Sequence, residues 1–108
     1  MREVFDDFIR WQDETFPNKT THSLMTHFKD EIVELEKEIE SGEGLMKNKY
    51  LEFADCFLLL FALAESEGMD YPLIVKSIKD KMTINKTREW ESPDKDGVCS
   101  HVRKAVAE

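Results

Sequence analysis

Two carboxylates interrupt the most apolar stretch of this chain of 108 residues. The stretch runs from Leu51 to Ala64, and Glu52 and Asp55 are its only acidic or basic residues. An ionised carboxylate in an apolar core costs several kcal/mol unless a cation or hydrogen bonds compensate it. At a spacing of three residues on a helix, the two groups lie on the same side, one turn apart. We therefore expect positive charge between them and a functional site around them.

A second acidic pair, Glu31 and Glu34, has the same spacing. It lies at the edge of an apolar helical stripe formed by Phe28, Ile32 and Leu35. Two antiparallel helices with a short connection would bring both pairs together, and four carboxylates bind hard divalent cations such as Mg²⁺ or Mn²⁺. Taken alone, Glu31 and Glu34 fit a solvated helix face better than a functional site. Di-iron bundles require Glu-x-x-His, which neither pair provides.

The chain also offers a cationic row at helical spacing. Lys81, Asn85 and Arg88 share one helix face and present donors that suit phosphate oxygens. Such a row is also ordinary near a helix C-terminus, where it complements the helix dipole. Combined with carboxylates that bind metal, it predicts a site for a polyphosphate.

Apolar periodicity predicts an all-α fold, a helical bundle in one domain over residues 1–108. Gly68 is expected to end the third helix, and Asp70 followed by Pro72 to begin the fourth. Leu73, Ile74, Ile78 and Met82 are expected to face inward. The first, third and fourth principal helices are expected over residues 4–15, 47–67 and 71–90. The second follows a cap at Thr20, Thr21 or Ser23 and runs to about residue 40. A short C-terminal segment over 98–106 is a further candidate for a helix.

Charge and composition bound the classes of partner. The formal net charge of −8 argues against binding to nucleic acid polymers or anionic membranes. The apolar run is shorter than the about 20 residues that span a bilayer. The first residues lack the pattern of a secretion signal, so we expect a cytoplasmic protein. Cys56 and Cys99 do not suggest a disulfide framework, and Cys56 is expected to be a core residue.

The carboxylates and the cationic row together resemble a known family. Glu31-x-x-Glu34, a gap of 17 residues, Glu52-x-x-Asp55 and Lys81-x-x-x-Asn85-x-x-Arg88 are similar to the motifs of the MazG-like all-α nucleoside triphosphate pyrophosphohydrolases. Further segments resemble the dATP/dGTP diphosphohydrolase branch, the phage MazZ-like enzymes. These segments are Trp11-Gln-Asp-x-Thr-Phe-Pro17, His27-Phe-Lys-Asp-Glu31 and Asn85-x-x-Arg-x-Trp-x-x-Pro-Asp-x-Asp-Gly97, with His101 and Arg103.

The resemblance implies hydrolysis of a purine dNTP between its α and β phosphates, giving dNMP and pyrophosphate in control of the nucleotide pool. It implies that the four carboxylates hold Mg²⁺ or Mn²⁺, two or more ions per site. Glu31 or Glu34 is then the expected general base. The cationic row would contact phosphate or sugar oxygens.

The resemblance also directs attention to residues that would hold the base. Trp11 and Trp90 are candidates for stacking on a purine, and Phe8 and Phe16 are further candidates. Gln12 or Asn18 would hydrogen-bond the edge of the base. His101 and Arg103 would close over the bound nucleotide. His27, one turn before Glu31, is either a partner of that carboxylate or part of the helix start.

Two further expectations concern assembly and a rival function. The third helix has more apolar surface than one small bundle covers, which predicts a homodimer or homotetramer. If the chain is encoded by a phage, its location would be the host cytoplasm. The alternative function is a non-catalytic acidic helical-bundle interaction protein, a phage or host regulator. That alternative requires buried Lys or Arg to neutralise Glu52 and Asp55.

Overall fold

Four α-helices form in the computed structural model, which describes residues 1–41 and 46–102. No β-strand occurs among these residues; Trp90 and His101 form an isolated antiparallel bridge. The prediction of an all-α fold with four principal helices is confirmed. In chain order, the helices are α1 Arg2–Thr15, α2 Thr21–Ser41, α3 Met46–Ser66 and α4 Tyr71–Thr87.

Side-chain caps begin α2 and α4 where the sequence predicts helix starts. At α2, the Ser23 backbone N–H donates to Thr20 Oγ1 at 3.0 Å, and the Thr20 N–H donates to Ser23 Oγ at 2.9 Å. At α4, the Leu73 N–H donates to Asp70 Oδ1 at 3.0 Å. Each cap satisfies a backbone donor that the first helical turn leaves free.

Gly68 ends α3 with a positive φ of 88°. Its N–H donates to the Glu65 carbonyl at 2.9 Å, and the Met69 N–H donates to the Ala64 carbonyl at 3.0 Å. This pair of bonds is the Schellman arrangement, in which a left-handed residue satisfies the last helical carbonyls. The prediction that Gly68 terminates the third helix is confirmed.

The chain groups into two compact units, Met1–Ile74 and Val75–Glu108. In the first unit, α3 packs against α1 and α2. Phe8 and Phe28 pack against this core, and the Phe5 ring meets Phe61 edge-on at 5.4 Å. That the whole chain is a single domain stays a prediction. The buried apolar residues are Phe5, Leu24, Leu59, Ala62, Leu63 and Ile74.

Large apolar side chains remain exposed on α3 in the single chain, in line with the expectation that this helix has more apolar surface than one small bundle covers. Tyr50, Phe53, Phe57 and Leu60 are 65%, 42%, 63% and 52% exposed. Their offsets of 0, 3, 7 and 10 place them along one face of the helix. Since α3 buries its other side against α1 and α2, this face, which we call the α3 apolar stripe, stays uncovered in the single chain.

The fourth helix also differs from its prediction. Ile74 is buried, but Leu73, Ile78 and Met82 are about half exposed. The spacing of apolar residues predicts which side of a helix is apolar. It carries no information on whether another part of the protein covers that side. The helix itself ends at Thr87 rather than near residue 90.

After α4, the second unit pairs two extended segments. The Glu91 N–H donates to the Ser100 carbonyl at 2.7 Å, and the Val102 N–H donates to the Glu89 carbonyl at 2.8 Å. The helix expected over 98–106 is therefore wrong for 98–102, because backbone pairing to residues 89–91 takes the place of helical hydrogen bonds. Residues 103–106 lie outside the described part.

None of the helices in the described ranges combines the length and the hydropathy that a membrane span requires.

Candidate metal centre and adjoining cavity

Three of the four predicted carboxylates meet between α2 and α3. Glu31, Glu52 and Asp55 each offer an oxygen, and these oxygens lie within 4.8 Å of one another. Glu31 and Glu52 are half-buried and Asp55 is exposed, so only part of the predicted pair in α3 is shielded from solvent. A cluster of carboxylate oxygens of this size suits a hard divalent cation.

The electrostatics of the cluster are unfavourable to Glu52 in its ionised form. Its pKa is raised above the usual 4.5, first by burial and then by the charge of Glu31 and a hydrogen bond with it. The nearby charges of Asp55 and Glu38 raise it further. Glu52 Oε2 is buried and has no hydrogen-bond partner. Within the described residues, Glu52 thus has a raised pKa and a buried oxygen that is available as a ligand atom.

A histidine lies beside the cluster. His27 Nε2 lies 3.3 Å from Glu31 Oε1, which supports its interpretation as a partner of that carboxylate. Within the residues whose side chains the structure describes, no lysine or arginine forms an ion pair with Glu31, Glu52 or Asp55. The buried cation that the interaction-protein alternative requires is therefore absent from this part of the chain.

Glu34 does not join the cluster. Its side chain is 57% exposed, and Lys37 Nζ lies 3.6 Å from its Oε1. Such an exposed pair within one helical turn contributes about 0.5 kcal/mol or less. The role of Glu34 as ligand or base stays a prediction.

Glu38 is the residue that the sequence analysis missed. It is half-buried, its Oε2 is buried without a hydrogen-bond partner, and its charge raises the pKa of Glu52. It follows Glu31 by seven residues, which places it on the same face of α2, two turns later. That spacing was the available signal.

Cys56 has its pKa raised, first by burial and then by the charge of Glu31, which keeps the thiol protonated.

A cavity of about 630 Å³ adjoins the carboxylates. Glu31 and Asp55 contribute to its wall, and the remainder comes from the last turns of α1, the loop that follows, the first turns of α2 and the middle of α3. It therefore places aromatic and amide side chains beside acidic ones. The other lining residues are Phe8, Trp11, Gln12, Thr15, Phe16, Pro17, Asn18, Lys19, Ser23, Leu24, His27, Leu58 and Leu59.

Five predicted base-contact residues line this cavity: Phe8, Trp11, Gln12, Phe16 and Asn18. Trp11 is 53% exposed, and its ring meets Phe16 edge-on at a centroid distance of 5.7 Å. Gln12 is only 5% exposed, and its Oε1 is buried without a hydrogen-bond partner. The Phe16 N–H donates to the Gln12 backbone carbonyl at 2.8 Å. This hydrogen bond closes the last turn of α1, the part of the helix that carries Trp11 and Gln12.

The other predicted contact residues belong to the second unit. Arg88 Nη1 donates to Asn85 Oδ1 at 3.4 Å, Trp90 Nε1 donates to the Asn85 backbone carbonyl at 3.0 Å, and Trp90 meets His101 edge-on at 5.9 Å. Lys81 is exposed. Arg103 lies outside the described residues. The roles of these residues toward a ligand stay predictions.

Comparison with known proteins first identifies the class of fold. The chain is similar to the solved MazG-like pyrophosphohydrolase of cyanophage S-2L, a structure bound to dGDP and three catalytic Mn²⁺ ions per active site. The TM-score is 0.75 at 22% identity, over 95% of this chain and 93% of that one. The fold is therefore that of the MazG-like all-α pyrophosphohydrolases.

Sequence relatives then identify the family. A dATP/dGTP diphosphohydrolase of Salmonella phage PMBT28 is 34% identical over 92 residues, 85% of this chain. The match spans 28% of the length of that relative. The dATP/dGTP pyrophosphohydrolase family model matches residues 4–108, and the chain belongs to this family.

Proposed function

We propose that the protein hydrolyses dATP and dGTP between the α and β phosphates, releasing dNMP and pyrophosphate and so controlling the nucleotide pool. One observation carries the proposal: a single cavity is lined by Glu31 and Asp55 of the carboxylate cluster and by Trp11 and Gln12. Such a cavity offers metal ligands for a triphosphate and flat or hydrogen-bonding groups for a base. Family membership supports the same activity.

The residues of the cluster fit a divalent metal site. Glu52 Oε2 is a buried oxygen without a partner, and the neighbouring carboxylates raise its pKa with no lysine or arginine beside them in the described chain. We propose that Glu31, Glu52 and Asp55 bind Mg²⁺ or Mn²⁺, with Glu34 as a fourth ligand and more than one ion per site. When bound, such ions neutralise the triphosphate and make water a stronger nucleophile.

The chain's own groups position the substrate and move the proton. Glu31 is half-buried with His27 at 3.3 Å, an arrangement that orients its carboxylate to accept a proton from the attacking water. Glu34 remains the alternative base. Trp11 stacks on the purine while Gln12 hydrogen-bonds its edge.

Further contacts are proposed from the family resemblance alone. Lys81, Asn85 and Arg88 donate to phosphate or sugar oxygens, which offsets charge on the leaving pyrophosphate. Trp90, His101 and Arg103 would cover the bound nucleotide.

The proposal extends to assembly and location. The α3 apolar stripe supports a homodimer or homotetramer, because its side chains are 42–65% exposed in one chain. The net charge of −8 favours a small nucleotide held through cations over a nucleic acid polymer. We place the protein in the cytoplasm, that of the host if a phage encodes it.

Product analysis tests the activity. The wild type, Glu52→Gln and the matched exposed variant Glu36→Gln are incubated with each dNTP and Mg²⁺ or Mn²⁺ in water enriched in ¹⁸O. We expect dAMP or dGMP and pyrophosphate from the wild type and Glu36→Gln only, with the label in the product whose phosphorus is attacked. Orthophosphate and dNDP would show that another bond is cut. No turnover of any dNTP would favour the interaction-protein alternative.

A further inference from the structure

Gln12 carries a hydrogen-bonding group that nothing in the folded chain satisfies. Its side chain is 95% buried, lines the cavity beside the carboxylate cluster, and leaves Oε1 without a donor. Buried polar groups are nearly always paired, because an unpaired acceptor loses its hydrogen bonds to water and gains nothing in return. An unpaired amide at the wall of a ligand-sized cavity is the pattern expected of a group whose partner is the ligand.

We infer that Gln12 reads positions 1 and 6 of the bound purine in either of two orientations of its amide. This inference rests on the proposed function. A carboxamide presents one acceptor beside one donor group, and rotation by 180° exchanges them.

The two natural purines are complementary to these two orientations. Adenine presents an N6–H donor beside its N1 acceptor, whereas guanine presents an N1–H donor beside its O6 acceptor. In one orientation Gln12 Oε1 accepts from N6 of adenine; in the other it accepts from N1 of guanine, and Nε2 donates to the adjacent acceptor. A single side chain can thus bind both bases. It binds more weakly a base that has no hydrogen-bond donor at position 1 or 6.

Base analogues test the inference by binding, with hydrolysis excluded. Monophosphates are titrated calorimetrically into the protein with Mn²⁺, comparing dAMP, dGMP, dIMP, purine 2′-deoxyriboside monophosphate and N1-methyl-dGMP. Hypoxanthine keeps N1–H and O6, so dIMP should bind like dGMP. The unsubstituted purine and the methylated base lack the donor, and their Kd should rise at least ~10-fold. Equal Kd values for all five nucleotides would overturn the inference.

Substitution at Gln12 separates recognition from a merely structural role. In Gln12→Met, dAMP should bind no better than the unsubstituted purine, because the group that distinguished them is gone. The melting temperature of nucleotide-free Gln12→Met should equal or exceed that of the wild type, since an unsatisfied acceptor is removed. A retained ~10-fold preference for dAMP over the unsubstituted purine would contradict the assignment.

A charged variant should weaken the binding of both bases. The carboxylate of Gln12→Glu only accepts, so at positions 1 and 6 it faces the N1 lone pair of adenine or the O6 lone pairs of guanine. The Kd values of dAMP and dGMP should both rise ~10-fold or more. The control is Glu14→Gln, an exposed residue of α1 outside the cavity wall, which should leave these Kd values and the analogue discrimination unchanged. If Asn18→Ala abolishes the analogue discrimination and Gln12→Met does not, the inference is wrong.

The results also distinguish this inference from the proposed function. Hydrolysis of dATP and dGTP with equal binding of all analogues would retain the function and overturn the role of Gln12. Discrimination among the analogues without hydrolysis of any dNTP would retain the role of Gln12 and overturn the activity.

Discussion

Glu52 occupies a position in which its negative charge is unfavourable until a cation is bound. Burial, two carboxylates of the cluster and Glu38 all raise its pKa, and Oε2 has no hydrogen-bond partner. A group of this kind weakens the metal-free fold while giving the site its affinity. Stability and binding therefore respond in opposite directions to its removal.

The first prediction concerns Glu52→Gln, which removes the charge and keeps the shape. The metal-free variant should melt at the same temperature as the wild type or above it, because mutual repulsion is relieved. Loss of a residue that hydrogen-bonds a metal ligand typically lowers activity ~10- to 100-fold. Loss of the charge of Glu52, a proposed ligand itself, should lower the hydrolysis rate by more than that. Differential scanning fluorimetry with and without Mn²⁺ and a pyrophosphate-release assay provide the measurements. Strong destabilisation of metal-free Glu52→Gln would instead indicate a structural carboxylate.

The raised pKa of Glu52 has a defined effect on stability against pH. In the folded state the carboxyl binds its proton at higher pH than in the unfolded state, whose pKa is near 4.5. Its contribution to stability is therefore full below pH 4.5 and is lost as pH rises through the raised pKa. Urea unfolding of the metal-free protein should show the wild type losing stability relative to Glu52→Gln over that rise. A difference independent of pH would contradict this expectation.

Glu34 is the proposed ligand that lies outside the carboxylate cluster, and its ion-pair partner Lys37 provides a matched control. The ion pair between them is exposed, with 3.6 Å between Nζ and Oε1, so a metal ion can compete for the carboxylate. If Glu34 is a ligand or the base, Glu34→Gln should lower the rate at least ~10-fold, while Lys37→Gln leaves it unchanged. Both variants should keep the free energy of unfolding within ~0.5 kcal/mol of the wild type. Full activity of Glu34→Gln would restrict the site to the three clustered carboxylates.

At the scale of the elements, α3 depends on its termination as much as on its packing. Gly68 has φ of 88°, and a Cβ added there would meet no atom within 4 Å, so only backbone conformation opposes a larger residue. Gly68→Ala should therefore reduce the free energy of unfolding by ~1 kcal/mol without changing the rate of hydrolysis. Equilibrium urea unfolding measures this, with exposed Glu67→Ala as the control expected within ~0.5 kcal/mol. A neutral Gly68→Ala would show that the Schellman bonds contribute little.

Sequence patterns predicted the helices well, because their signals are local. The cap at Asp70, the glycine at 68 and the buried face of α1 with Phe5 and Gln12 all follow from chemistry within a few residues. The end of α4 and the paired segments after it were predicted wrongly. Pairing between Glu91 and Ser100 depends on residues nine apart, for which helical periodicity carries no information.

The site was predictable in part for the same reason. Spacing identified Glu31, Glu52 and Asp55, which the structure brings together, but it treated Glu34 as equivalent to them. Whether an exposed carboxylate turns toward a cluster or toward Lys37 depends on side-chain conformation and on bound ions, neither of which spacing encodes. Glu38 carried a usable signal, its two-turn offset from Glu31.

At the scale of the whole molecule, the α3 apolar stripe is the feature that one chain leaves unsatisfied. Phe57 is 63% exposed at its middle, more than any other apolar residue there except Tyr50. Phe57→Asp should convert the proposed oligomer to monomers in sedimentation velocity, because it places a charge within an apolar interface. Exposed Val98→Asp, on a different segment, should leave the sedimentation coefficient unchanged. A wild type that sediments as a monomer at all concentrations would overturn the proposed assembly.

If further copies of the chain cover the same stripe, as proposed, protein concentration becomes a variable of the proposed activity. An interface that covers apolar side chains of every chain links folding to association, so stability falls by mass action when the protein is diluted. Rates measured at nanomolar protein would then report a mixture of assembled and dissociated chains. A cell in which the chain accumulates gradually would acquire activity more steeply than it acquires protein.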